Sequence, residues 1–169
     1  MKNKILVAYA SRAGSTGEVA RVIGKTLGES GAAVEVKPIK NVTSLIGYDA
    51  VVVGSAIRMG KWLPEAVDFV KTNQSLLQEV PTAFFTVCLT LHEDTKENRA
   101  TVAAYTEPVR ALRQPDQEAF FAGVMDYSYL SFFARLMAKW VKAPQGDWRD
   151  WTAIQRWARE LQTTLLQPS

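Results

Sequence analysis

Short apolar runs alternate with amphipathic segments of helical spacing along almost the whole chain. The runs lie at residues 4–9, 34–39, 50–54, 82–89 and 119–125, and the helical segments at residues 17–30, 63–71, 97–112 and 151–166. Because neighbouring parallel strands need crossover connections, this alternation predicts a parallel sheet with helices on both faces. We expect Pro108 to kink or divide the third helix. The 169 residues have the size of one domain, which we place at 1–169.

The residue counts exclude several classes of protein. One cysteine and one histidine rule out a disulfide framework, a zinc finger and a Cys/His metal cluster. The 20 Lys and Arg residues against 17 Asp and Glu give a net charge of +3, which is too small to indicate a nucleic-acid partner. The apolar runs are too short for a signal peptide or a membrane-spanning helix. We therefore expect a cytoplasmic protein that binds neither metal nor nucleic acid.

The loop after the first strand combines hydroxyl side chains with a glycine and opens the first helix. Helix N-terminal amides and the positive end of the helix dipole suit a phosphate at such a position. An ordinary helix start capped by Ser15 or Thr16 is the alternative. Neither G-x-x-x-x-G-K-S/T nor G-x-G-x-x-G occurs, which excludes a P-loop NTPase and a dinucleotide-binding Rossmann domain. The predicted phosphate-binding residues are Ser11, Arg12, Ala13, Gly14, Ser15 and Thr16.

Ser11, Gly14 and Thr16 make this loop resemble the FMN phosphate loop of the flavodoxin-like family, Ser/Thr-x-Ser/Thr-Gly-x-Thr. Ala13 departs from the pattern, because it replaces a hydroxyl that could contact the phosphate. The resemblance covers nearly the whole chain and implies an α/β three-layer sandwich with a five-stranded parallel sheet of order 2-1-3-4-5. It also implies FMN as cofactor and chemistry centred on the flavin, with no catalytic side chain.

In that layout two further loops would hold the flavin ring. Their residues are Ser55, Ala56, Ile57, Arg58, Met59 and Gly60 after the third strand, and Thr90, Leu91 and His92 after the fourth. Met59 or Trp62 could cover the ring, and the alternative for Trp62 is a place in the core. His92 could donate a hydrogen bond to the ring or substrate, and the alternative is a solvent-exposed loop histidine. We predict that Cys88 is buried and structural.

Residues 126–148 form an insertion between the fifth strand and the last helix, where a connection of about 2–6 residues would suffice. On a helical wheel, residues 129–142 separate an apolar aromatic face from a basic one. A helix of this kind is typical of a membrane surface or a cover for an apolar substrate, whereas packing on its own core or in a homodimer is the alternative. The predicted substrate or membrane contacts are Tyr129, Phe133, Arg135, Met137, Lys139, Trp140 and Lys142.

Within the family, the second loop, the fourth strand and the basic aromatic insertion resemble the flavodoxin-type, menaquinone-dependent protoporphyrinogen IX dehydrogenases of haem biosynthesis. This resemblance implies an oxidoreductase that converts protoporphyrinogen IX to protoporphyrin IX with a quinone acceptor, in the cytoplasm or at the inner face of the cell membrane. Two alternatives stay open: an FMN electron carrier that docks on protein partners, and an NAD(P)H–quinone reductase.

Overall fold

The computed structural model describes residues 3–125, Leu136 and residues 146–166. The strands among them are β1 (Lys4–Ala10), β2 (Ala33–Pro38), β3 (Ala50–Arg58), β4 (Lys61–Trp62), β5 (Thr82–Cys88), β6 (Gln117–Ala122), β7 (Val124–Met125) and β8 (Gly146–Asp147). The helices among them are α1 (Ser15–Gly28), α2 (Pro64–Thr72), α3 (Gln74–Glu79), α4 (Lys96–Leu112) and α5 (Trp151–Leu165). The seven residues predicted to contact substrate or membrane, from Tyr129 to Lys142, lie outside the described residues.

The main sheet is parallel, with the strand order β2-β1-β3-β5-β6. The two-residue strand β4 lies off this path and returns antiparallel on β3. When the parallel strands alone are counted along the chain, their order is therefore 2-1-3-4-5, and the predicted fold class is confirmed.

Apolar side chains cover both faces of the central strands. Ile5 and Val7 pack on one face with α1 and α5, whereas Leu6 and Ala8 pack on the other with α2 and α4. Strands β1 and β5 therefore read as almost continuous apolar runs, because a parallel strand between two helical layers has no solvent face. The two helical layers leave the carboxyl ends of the strands free to form a site.

Three local features differ from the expectations. Strand β3 is longer than predicted, and the fifth predicted strand divides at Gly123 into β6 and β7. Helix α4 runs through Pro108 without being divided. Near the proline, the Arg110 guanidinium and the Thr106 hydroxyl donate to the Ala103 carbonyl at 2.6 and 3.0 Å.

A short antiparallel ribbon joins the two ends of the insertion. Val124 pairs with Asp147 and Met125 with Gly146, so residues 126–145 begin and end at neighbouring positions. The Trp148 N–H then donates to the Gly123 carbonyl at 3.2 Å. None of the described helices has both the length and the apolar character required to span a membrane.

Candidate functional site

The loop between β1 and α1 presents backbone amides at its centre. Gly14, the residue immediately before α1, adopts a left-handed conformation (φ +90°), and its N–H donates to the Ser11 hydroxyl at 2.9 Å. The Glu18 N–H makes the first helical bond, to the Gly14 carbonyl at 3.2 Å. No side chain caps α1, so the alternative of an ordinary cap by Ser15 or Thr16 is wrong. The amides of the first turn therefore remain available for an anion.

Thr16 is completely buried at the start of α1, and its hydroxyl has no hydrogen-bond partner among the described residues. An unsatisfied buried polar group costs about 1–3 kcal/mol, which is why such groups are rare in native proteins. A phosphate oxygen would accept from this hydroxyl and from the free amides together. The loop therefore fits the phosphate of FMN, and the buried hydroxyl is the observation that shows the fit.

Arg12 lies in the same loop, but its side chain is engaged elsewhere. Its guanidinium makes a two-pronged ion pair with Glu65 in the first turn of α2, with Nη2 3.0 Å from Oε2. The hydrogen bonds of the pair lower the pKa of Glu65 and raise the pKa of Arg12. The Arg12 side chain thus anchors the loop to α2, and its backbone stays in the predicted phosphate loop.

The second predicted loop is largely strand. Strand β3 continues to Arg58, and the turn consists of Met59 (φ +53°) and Gly60 (φ +71°), the two-residue type that suits a tight hairpin. Ser55 is buried, where its hydroxyl accepts from the Leu63 N–H at 3.0 Å and donates to the Ala56 carbonyl at 2.8 Å. The Ser55 hydroxyl is therefore used to hold the hairpin, and the exposed tip is Met59, at 92% exposure.

Trp62 belongs to the core. Its side chain is 3% exposed, and its ring meets Phe84 edge to face at 5.2 Å. The indole N–H donates to the Thr86 hydroxyl at 2.9 Å. The core alternative for Trp62 is confirmed, and the expectation that it could cover a flavin ring is wrong. Of the two candidates for that role, only Met59 is at the surface.

The third predicted loop forms a short 3-10 turn, Leu89–His92, immediately after β5. Leu91 is buried against Cys88 and Val102, which confirms that Cys88 is a buried residue. His92 Nδ1 lies 3.0 Å from the Leu89 carbonyl, and its ring meets Trp148 edge to face at 5.4 Å. His92 is half-buried, with 33% of its side chain exposed. Thr90 is half-buried on the same turn.

A second anchor, Arg149, follows the ribbon and was not among the residues predicted from the sequence. Its guanidinium donates to Asp147 at 2.7 and 2.9 Å, pairs with Glu18 in the first turn of α1, and lies 4.6 Å from the Trp151 ring centre. The hydrogen bond to Arg149 lowers the pKa of Asp147. Arg149 thereby connects the exit of the insertion to α1, the helix that follows the phosphate loop. Periodicity could not reveal this contact, because 131 positions separate the two residues.

Comparison with known proteins gives consistent results. Residues 6–151 match the family model described as a flavodoxin domain. A protein of Escherichia coli (strain K12) named protoporphyrinogen IX dehydrogenase (quinone) is 27% identical over 94% of each chain. A protein of Leishmania major with the same name is 29% identical over 93% of this chain and 74% of its own.

Solved structures agree on the fold. A short-chain flavodoxin associated with a non-canonical PDU bacterial microcompartment superposes with a TM-score of 0.64, at 15% identity over 96% of this chain and 99% of that one. The flavodoxin of Streptococcus pneumonia TIGR4 gives a TM-score of 0.59, at 16% identity over 94% and 97%. The strand order, the phosphate loop and the family match lead to one conclusion. The chain belongs to the flavodoxin domain family, and FMN is its cofactor.

Proposed function

We propose that this flavodoxin-like oxidoreductase oxidises protoporphyrinogen IX to protoporphyrin IX, a loss of six electrons and six protons in three rounds, and that each round delivers two electrons and two protons to one quinone molecule. The observation that supports this most is the match, over 94% of both chains, to a relative named for that reaction. Because the match extends over nearly the whole of both chains, it exceeds what a shared phosphate loop alone would produce.

The chain's own residues would have defined tasks in this reaction. When bound, FMN supplies a redox centre that exchanges two electrons, so the protein needs no nucleophile of its own. The α1 amides and the Thr16 hydroxyl would hold the phosphate, and the Arg12–Glu65 pair keeps that loop in place. The Met59–Gly60 hairpin and the Leu89–His92 turn would flank the ring.

The insertion would serve the two apolar partners of the reaction. Its ends are held by the β7–β8 ribbon, and Trp148 directly after the ribbon contacts His92. The segment therefore leaves and rejoins the described part of the chain near the third cofactor loop. We propose that residues 129–142 contact porphyrinogen, quinone or a membrane surface.

An anaerobic assay tests the proposal. The FMN-loaded protein is mixed with protoporphyrinogen IX and a menaquinone analogue, and porphyrin fluorescence is followed against a protein-free control. We expect porphyrin formation that requires protein, FMN and quinone together. Bound and reducible FMN without porphyrin formation would contradict the proposal, and quinone reduction driven by NAD(P)H would favour the reductase alternative.

A deletion of residues 129–142 separates the two parts of the proposal. We expect the shortened chain to bind FMN as the complete chain does, since the phosphate loop and the hairpin lie outside the deletion. Turnover of porphyrinogen should be lost. Normal turnover by this variant would show that the insertion has no role in the reaction.

A further inference from the structure

A cavity of about 490 Å³ runs along the edge strand β6 and reaches the Leu89–His92 turn. Its volume lies within the range of about 300–1,000 Å³ that is typical of small-molecule sites. Aromatic rings form much of its wall, contributed by His92, Phe120, Trp148 and Trp157. The cavity is therefore suited to a ligand with large apolar rings.

The charged groups of the cavity wall have partners within the protein. Arg99 donates to both carboxylate oxygens of Asp94, with distances of 2.6 and 3.0 Å. Asp150 accepts from a backbone N–H at the start of α5 at 3.0 Å. Glu118 forms an ion pair with Arg110 at 3.2 Å. Asp94, Arg99 and Glu118 are thus paired with opposite charges, whereas Asp150 caps the helix.

His92 offers a different kind of group. Its Nδ1 lies 3.0 Å from the Leu89 carbonyl, which can only accept a hydrogen bond, so in the neutral ring the proton is on Nδ1. Nε2 is then an acceptor, and the nearest carboxylate oxygen, of Glu93, is 4.0 Å away, beyond hydrogen-bond distance. Within the part of the chain that the structure describes, Nε2 of His92 thus has no donor, and it can accept from an N–H or O–H group of a ligand.

We propose that this cavity binds the reduced, non-planar tetrapyrrole, and that a pyrrole N–H of the ligand donates to Nε2 of His92. The inference rests on the proposed function and specifies where the substrate would bind. In a porphyrinogen, saturated carbons join the four pyrroles, so their N–H groups can turn out of the mean plane toward an acceptor on one face. In the flat porphyrin, the remaining N–H groups lie in the ring plane, where Nε2 cannot reach them.

His92 favours the porphyrinogen over the quinone, because a quinone carries only carbonyl acceptors and these cannot pair with an acceptor nitrogen. The quinone is nevertheless a competing occupant, since the buried indole N–H of Trp157 lines the same cavity without a partner among the described residues and is a donor for a carbonyl. The reduced quinol does carry O–H donors, so it is a competing source of the hydrogen bond. The cavity also lies on the cofactor side of the sheet, since Leu91 and His92 follow β5 directly and Ala122 ends β6.

Anaerobic calorimetric titration tests the inference. The protein is loaded with FMN that has been reduced beforehand, so that protoporphyrinogen IX binds without being oxidised. We expect the His92→Phe variant, which keeps a ring against Trp148 but lacks Nε2, to bind porphyrinogen about three- to tenfold more weakly. Its affinity for protoporphyrin IX should stay within about twofold of the wild-type value. His92→Gln, which can again present an acceptor, should recover part of the porphyrinogen affinity.

Two tryptophans close in sequence provide a matched pair of controls. Trp148→Ala removes an aromatic ring from the cavity wall, so it should weaken the binding of both tetrapyrroles by about tenfold through the loss of stacking area. Trp151→Ala removes a tryptophan that does not line the cavity and should leave both affinities unchanged. Thermal unfolding of each variant shows whether the fold is retained.

The outcomes separate the cavity from the reaction. Wild-type protein that oxidises porphyrinogen, together with His92→Phe and Trp148→Ala variants that bind it normally, would overturn the cavity inference and leave the proposed function intact. If these two variants lose the ability to bind the quinol but bind porphyrinogen as the wild type does, the inference would also be overturned. The cavity would then be assigned to the quinone, the electron acceptor. Wild-type protein that neither binds nor oxidises porphyrinogen would overturn the proposed function itself.

Discussion

The substitution Thr16→Val should change two measurable quantities in opposite directions. Thr16 is fully buried at the start of α1, and its hydroxyl has no partner among the described residues. Valine has nearly the same shape, but it replaces the hydroxyl with a methyl group. The FMN-free protein should therefore become more stable, whereas FMN should bind more weakly.

The magnitudes follow from the state of that hydroxyl. Leaving a buried polar group unsatisfied costs about 1–3 kcal/mol, so removing it should raise the free energy of unfolding of the FMN-free protein by about 1 kcal/mol or more. For a chain of this size, that corresponds to a melting temperature about 2–4 °C higher. A hydrogen bond to a charged phosphate contributes about 1.5–3 kcal/mol, so the dissociation constant of FMN should rise about 10- to 150-fold.

Urea denaturation of the FMN-free protein and fluorescence titration with FMN measure the two quantities. Thr26→Val is the matched control, since Thr26 lies on the same helix and is also buried. Its hydroxyl, however, donates to the Val22 carbonyl at 2.9 Å. We expect this control to lose about 0.5–1.5 kcal/mol of unfolding free energy and to bind FMN normally.

Two results would refute the reasoning. An unchanged affinity for FMN in the Thr16→Val variant would show that the hydroxyl does not contact the phosphate. If the FMN-free Thr16→Val variant lost as much unfolding free energy as the Thr26→Val control, the Thr16 hydroxyl would already have a partner in the FMN-free protein.

Three further predictions concern the phosphate loop, the core and the sheet edge. Ala13→Ser restores the hydroxyl of the family motif and should tighten FMN binding about two- to tenfold in a fluorescence titration, whereas unchanged affinity would place this residue away from the phosphate. Gly54→Ala would put a Cβ 1.9 Å from Cζ of Phe85, so we expect urea denaturation to show an unfolding free energy about 1–3 kcal/mol lower than that of the wild type. Adding Phe85→Leu should restore part of this loss. Wild-type stability of the Gly54→Ala variant would contradict the close packing. The hydrogen bond from Tyr48 lowers the pKa of Glu35 from 4.5 to about 2, so the carboxylate's stabilisation is complete above pH 4.5 and is lost as the pH falls through about 2. The melting temperatures of the wild type and Glu35→Gln should therefore differ at pH 7 and converge between pH 4.5 and 2, and a constant difference would refute the assignment.

The regular part of the fold was predictable because its signals are local. A strand buried on both faces must be apolar at nearly every position, and β1 and β5 show this directly in their sequences. The phosphate loop was predictable for the same reason, since Ser11, Gly14 and Thr16 are close neighbours along the chain. The strand order and the cofactor came from the family resemblance, and both are confirmed.

The hairpin was misread for a physical reason. Gly54 and Ser55 suggested the end of a strand, yet both lie within β3. The residue at position 54 is glycine because Phe85 occupies the space that a side chain would need. Ser55 is buried because its hydroxyl binds the returning backbone at Leu63. Both residues serve contacts with other parts of the chain, and no local pattern reveals such contacts.

The sequence by itself determined the alternation of strands and helices, the buried strands and the position of the phosphate loop. Only the tertiary structure decided that Trp62 enters the core, that Trp148 meets His92 and that Arg149 joins Glu18. The reason is that periodicity and turn signals act over a few residues, whereas these contacts join side chains 24 to 131 positions apart. Such pairs become neighbours only after the sheet has brought the carboxyl ends of its strands together.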